Sequence, residues 1–180
     1  MKILTFNELT KYREKTIVAT EKLILEAKEI SMPTVFLSHS SNDKDELGSI
    51  IAFLKRYGAK VYIDKDDKEL PPITNHKTAE ILKERIEKIP KFVVYVTKNT
   101  KDSTWIPWEL GIADGIRKFK NIALLPVAEY ADDTEWFGQE YLGLYQKIIF
   151  GKIKGSQKED WIVFNPEDNP GVYLNEWLKI

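Results

Sequence analysis

No cysteine occurs in the 180 residues. Disulfides, thiolate nucleophiles and thiolate zinc sites are thereby excluded, and the chain suits a reducing compartment such as the cytoplasm. Histidine is nearly as scarce: His39 and His76 stand far apart, without the HExxH spacing of a helical zinc site, so no metal centre is expected. Excess charge of one sign is also missing. The 27 basic and 28 acidic residues leave a net charge of -1, where a domain that binds nucleic acid would be basic, so no DNA or RNA partner is expected. Neither a signal-peptide core nor an apolar run of about 18 residues is found. The expectation is a soluble, unprocessed cytoplasmic protein with no membrane partner. The glycine fingerprints GxGxxG and GxxxxGK[ST], which cradle phosphates, are absent as well.

What is present is a chain with 43% hydrophobic and 31% charged residues, enough apolar material for one core and unlike a disordered segment. Over residues 6–30, Leu9, Tyr12, Thr16, Leu23, Ala27 and Ile30 recur near a 3.6-residue period, which predicts an amphipathic helix starting near Asn7 and ending before Pro33. Thr34-Val35-Phe36-Leu37 then reads as a strand. The polar Ser38-His39-Ser40-Ser41-Asn42-Asp43 follows, with Ser41 or Asn42 as cap of a helix that carries Leu47, Ile50, Ile51, Leu54 and Tyr57 and stops at Gly58. A second strand is expected over residues 59–64. Adjacent Pro71 and Pro72 make the next stretch an exposed loop, and residues 75–89 a helix. Phe92-Val-Val-Tyr-Val96 is a buried parallel strand by its β-branched, continuously apolar character. A helix over residues 104–119 and strands over residues 121–127 and 147–150 complete the alternation, with residues 128–146 as an irregular insertion. Alternating strands and helices predict an α/β fold: a flavodoxin-like three-layer sandwich with a mostly parallel five-stranded sheet, plus the N-terminal helix.

In such sheets ligands bind beyond the carboxyl ends of the strands, which directs attention to residues 38–43, 64–73 and 97–108. In the third segment Pro107 fits only the first turn of a helix, so Thr104, or alternatively Ser103, is the N-cap. Trp105 and Glu109 are then four residues apart on one face at the ligand edge, while Trp108 reads as core. A glutamate in an early turn is ordinarily a partner of the helix dipole; beside an indole it is also a candidate catalytic carboxylate. The first segment offers hydroxyls and N–H groups to a phosphate, and His39 a possible general base, although solvated capping residues explain the same pattern. Asp64, Asp66 and Asp67 match a calcium loop only loosely.

Taken together, Val35-Phe-Leu-Ser-His-Ser-Ser-Asn-Asp43, Gly58-Ala-Lys-Val-Tyr-Ile-Asp64 and Ser103-Thr-Trp-Ile-Pro-Trp-Glu-Leu110 resemble a Toll/interleukin-1 receptor (TIR) domain of the bacterial type, similar to Thoeris-like antiphage-defence enzymes that cleave NAD. The resemblance spans residues 33–154, leaving residues 1–32 as an N-terminal helix and 155–180 as a C-terminal extension packed on the same domain. Its most specific element is Ser-x-Trp-x-x-x-Glu, which puts the catalytic glutamate of the family's active members at Glu109. The resemblance further implies that Phe36, Ser38, His39, Ser40 and Asp43 line the nucleotide site with Asp64. Trp105 would help form the nicotinamide-ribose pocket, and residues 64–73 would be the mobile loop. NAD is then substrate, no cofactor or metal is needed, and homo-oligomerisation and a downstream effector that senses the product are expected. Two other readings stay open: a TIR adaptor acting by self-association without catalysis, and a nucleoside 2-deoxyribosyltransferase-like enzyme.

Overall fold

The computed structural model describes residues 1–13, 33–64, 67, 69–71, 73–117, 119–133, 140–165 and 171–179. Its strands are β1 (Leu4–Thr5), β2 (Val35–Ser38), β3 (Val61–Tyr62), β4 (Lys91–Val96), β5 (Ile122–Ala128), β6 (Gln146–Lys152), β7 (Glu159–Phe164) and β8 (Val172–Tyr173). The α-helices are α1 (Phe6–Leu9), α2 (Leu47–Arg56), α3 (His76–Lys88), α4 (Trp105–Ile116) and α5 (Leu174–Trp177). The sheet runs β3-β2-β4-β5-β6-β7-β8. Its first five strands are parallel in the flavodoxin-like order, and β7 and β8 extend them antiparallel.

The parallel strands are buried on both faces because helices cover both, and their alternation sorts the core into two clusters. Val93 and Tyr95 of β4 face α2, with Leu37, Ile50, Phe53 and Leu54. Phe92, Val94 and Val96 face α3 and α4, with Phe36, Leu82, Ile86, Ile106 and Leu110. α2 ends as its glycine predicts: Gly58 has φ +98, and the N–H groups of Gly58 and Ala59 return to the carbonyls of Lys55 and Leu54. Asn75 caps α3 by accepting from the N–H groups of Lys77 and Thr78.

The start of the chain differs from the helix expected there. Thr5 caps α1 in a capping box with Glu8, a 3-10 turn follows over Thr10–Tyr12, and Arg13 is already extended. Leu4 and Leu9, fully buried against the sheet and α2, account for part of the apolar periodicity through tertiary docking. The rest of the expected helix, residues 14–32, lies outside the described residues. β1, which local pattern did not suggest, pairs parallel with the far end of β5, Leu4 opposite Val127, while Lys2 bridges Phe150 of β6. β6 pairs with β5 only up to Leu124, so Pro126 falls in the interval between the two partners. The sheet is also wider than five strands. Trp161 on β7 and Trp177 on α5 join the core beside α2, and the Trp177 indole N–H donates to the Lys120 carbonyl at 2.7 Å.

Candidate active site

From β2 the chain passes to β3 on one side and then crosses to β4 on the other. The loops at the carboxyl ends of β2 and β4 therefore part and leave a crevice. A cleft of about 320 Å³ lies there, lined by His39, Ser40, Ser41, Asn42, Asp64, Asp102, Ser103, Thr104, Trp105 and Glu109.

Its walls are set by local capping chemistry. After β2, Ser40 accepts from the Asn42 N–H at 3.3 Å and caps a 3-10 turn over Ser41–Asp43, while α2, which Ser41 or Asn42 was expected to cap, begins only at Leu47 behind Glu46 and has no side-chain cap. After β4, Thr97 caps the turn Lys98–Asp102 by accepting from the Asn99 N–H at 3.0 Å. The two loops are joined beneath the cleft: Asp43 accepts from Thr97 Oγ1 at 3.1 Å and from Asn99 Nδ2 at 2.6 Å. Burial raises the Asp43 carboxyl above its ordinary range, while Asn99, Thr97 and the charge of His39 pull it down. Thr104 stands at the N-cap position of α4 as expected, but without a side-chain bond of its own; the capping oxygen comes from Ser103 one residue earlier, whose Oγ accepts from the Ile106 N–H at 3.2 Å.

α4 enters with Trp105 partly exposed at the rim, packed edge-on against Trp108 with their ring centroids 5.5 Å apart. One turn further, Glu109 points inward and is only 2% exposed. Its Oε2 accepts from Ser38 Oγ at the end of β2 at 2.5 Å, and its Oε1 has no protein partner. Burial first, and then the nearby Asp64 carboxylate, hold Glu109 well above the usual carboxylate range, with the Ser38 bond opposing them. The result is a carboxyl group on the floor of the cleft with one oxygen fixed by Ser38 and the other buried without a hydrogen-bond partner.

The structure thus brings His39, Ser40, Asp64, Trp105 and Glu109 to one cleft, with Ser38 beneath it on Glu109. Asp43 ties the loops together without lining the cleft. Phe36 is fully buried two residues deeper on β2, stacked on Phe92 with centroids 5.2 Å apart. Ser41, Asn42, Asp102, Ser103 and Thr104 complete the wall; their polarity beside strand ends is the signal that could have singled them out. Among the described residues, the lining includes three carboxylates and no lysine or arginine. Among the described residues no three His, Asp or Glu side chains gather to hold a metal ion, and no helix is long and apolar enough to cross a membrane.

This sheet order, with a glutamate one turn into the helix after β4 and facing the end of β2, is the arrangement of a TIR domain, and the TIR domain sequence profile matches residues 35–156. The chain belongs to that family. At the level of particular proteins, it is 36% identical over 148 residues to a probable 3' cyclic ADP-D-ribose synthase, ThsB', of Bacillus cereus (strain MSX-D12). The alignment covers 81% of this chain and 75% of that protein.

Proposed function

We propose that the protein is an NAD-cleaving TIR enzyme that releases nicotinamide and closes the remaining ADP-ribose into a cyclic isomer, as a signal generator in antiphage defence. The observation that carries this reading is Glu109, buried at the base of the cleft with Oε2 held by Ser38 and Oε1 buried without a hydrogen-bond partner. The cyclising outcome draws support from the likeness to the probable 3' cyclic ADP-D-ribose synthase of Bacillus cereus, and the defence role from the bacterial-type TIR resemblance.

The chemistry follows from charge. NAD carries a positive nicotinamide ring, and a cleft whose lining includes Asp64, Asp102 and Glu109 favours that end of the molecule. The cationic ring, entering beside Trp105, draws Glu109 toward its ionised form. The carboxylate then accepts a hydrogen bond from a hydroxyl of the nicotinamide ribose through Oε1. As the glycosidic bond breaks, the bonding pair leaves with the nicotinamide nitrogen and neutralises the ring, and positive charge moves onto the ribose, beside the carboxylate. Attack by a nucleophile of the same molecule gives the cyclic product, and water gives ADP-ribose. On this reading Ser38 orients Glu109, Ser40 and His39 contact the nucleotide, and Asp43 with Phe36 supports the loop that does so. Residues 33–154 form the catalytic unit, which residues 155–180 complete, and self-association brings it to full activity.

The test is incubation of the purified protein with NAD at low and high protein concentration, with products separated by liquid chromatography and weighed by mass spectrometry. Nicotinamide release with a partner of cyclic ADP-ribose mass is expected, and Glu109→Gln, which keeps the volume and removes the charge, should lower it at least about 100-fold. Undiminished release by the folded variant refutes the role of Glu109. No release at any concentration favours a self-associating adaptor instead.

A further inference from the structure

Outside the cleft, α3 fastens the segment that follows β3. Arg85 Nε meets Asp67 Oδ2 at 3.0 Å, and its Nη2 meets Glu69 Oε2 at 2.6 Å. The same Asp67 Oδ2 accepts from the Tyr62 hydroxyl at 2.7 Å, and Asp67 Oδ1 accepts from the Glu69 N–H at 2.9 Å. The Asp67 side chain is 9% exposed and that of Arg85 21%, whereas Glu69 is 67% exposed. An exposed pair adds little, so the shielded bond to Asp67 is the fastening one. Burial opposes ionisation of both partners, yet the bonds from Glu69, Tyr62 and Arg85 bring the Asp67 carboxyl below its ordinary range.

Asp67 in turn holds the cleft. Its backbone N–H donates to the Asp64 carbonyl at 2.8 Å, and Asp64 lines the cleft with Glu109. A continuous path therefore runs from the Arg85 guanidinium through the Asp67 side chain and backbone to Asp64. We propose that Arg85 is a positioning residue of the candidate site, which sets the place of the Asp64 carboxylate relative to Glu109 by gripping Asp67. Its relevance to turnover rests on the NAD-cleaving reading; its relevance to the geometry does not.

The other groups around Glu109 do not supply this control. Asp102 comes from the turn before α4, and His39 and Ser38 from the end of β2, whereas among the described residues the ion pairs of Arg85 go to Asp67 and Glu69. β4 turns Val94 and Val96 to this side, and α3 turns Leu82 and Ile86. Asp64 is the neighbouring charge that holds the Glu109 carboxyl up, so displacing it lets Glu109 ionise at lower pH.

The experiment titrates the full-length protein, labelled with carbon-13 at the glutamate side-chain carboxyls, by NMR, with the Glu109 resonance identified by its loss in Glu109→Gln. Asp64→Asn should lower the Glu109 midpoint, because it removes the like charge beside it. Arg85→Leu should move it the same way, the double variant should match Asp64→Asn alone, and Arg85→Lys, which keeps a cation near Asp67, should fall between wild type and Arg85→Leu. An unmoved midpoint in Arg85→Leu, or additive shifts in the double variant, overturns the proposal. Should Arg85→Leu fail to fold, Asp67→Asn removes the ion pair while keeping shape and backbone bond, and an unmoved midpoint there overturns it equally. Because no NAD is present, a protein that releases no nicotinamide leaves this test intact.

Discussion

At the scale of single residues, the position of Glu109 makes the fold pay in stability for a reactive group. The unfolded chain titrates this carboxyl near its ordinary 4.5, whereas burial and Asp64 raise it in the native state. Between those two values the folded protein keeps a proton that the unfolded chain has released, so stability falls as pH rises through the window and is intact below it. Glu109→Gln has no such group. Its melting temperature should equal that of the wild type at about pH 4 and exceed it by a growing margin up to the native ionisation, beyond which the margin is constant. Calorimetric melts across that range check this, and a margin that does not change with pH refutes it. The sequence alone could place Trp105 and Glu109 on one helical face, because a spacing of four is local. It could not show that Glu109 meets Ser38, since that contact depends on how α4 lies across β2.

Among the elements, the strands were the most legible part of the chain. β4 and β5 are continuously apolar because both faces of each are covered; the observed Lys91–Val96 begins one residue before the expected span, and Ile122–Ala128 is shifted by one residue at each end. Helix ends were less legible, since Ser103 and Thr104, or Ser40 and Ser41, are chemically interchangeable as caps until the path of the backbone is known. The end of α3 has a cap no local pattern announces. Arg117, beyond the end of α4, donates to the Pro90 carbonyl at 2.6 Å and to the carbonyls of Ile86 and Ile89. Arg117→Leu leaves these acceptors unsatisfied and should cost about 1–3 kcal/mol. A thermal melt would read this as a drop of about 2–4 °C for each kcal/mol. Unchanged melting would mean that water replaces the guanidinium at no loss.

For the whole molecule, the C-terminal residues belong to the same sheet as the matched family region. β7 pairs with β6 along six register pairs from Lys147 opposite Phe164 to Lys152 opposite Glu159, and Trp161 packs edge-on against Phe53 of α2 with centroids 5.2 Å apart. Leu174, Trp177 and Leu178 close the same cluster. A chain ending at Lys154 should therefore lose its cooperative melt and aggregate through the bared edge of β6. Trp161→Ala in the full chain should cost about 3–5 kcal/mol. Size-exclusion chromatography and thermal melts distinguish the outcomes, and a truncated chain that stays monomeric and melts cooperatively near the full-length temperature refutes the expectation. Only alternation and composition were available to assign this tail, and neither reveals a strand whose partner is another strand rather than a helix.

The short strand β1 has a consequence for the order in which the molecule assembles. Leu4 and Thr5 find their partners at Val127 and Ala128, and Lys2 finds Phe150. During synthesis these residues must wait, unpaired, until the strands more than 120 residues further on have followed them. Such distant closures are slow relative to helix formation, so β1 is among the last parts of the sheet to lock, and its locking reports that β5 and β6 are already in place.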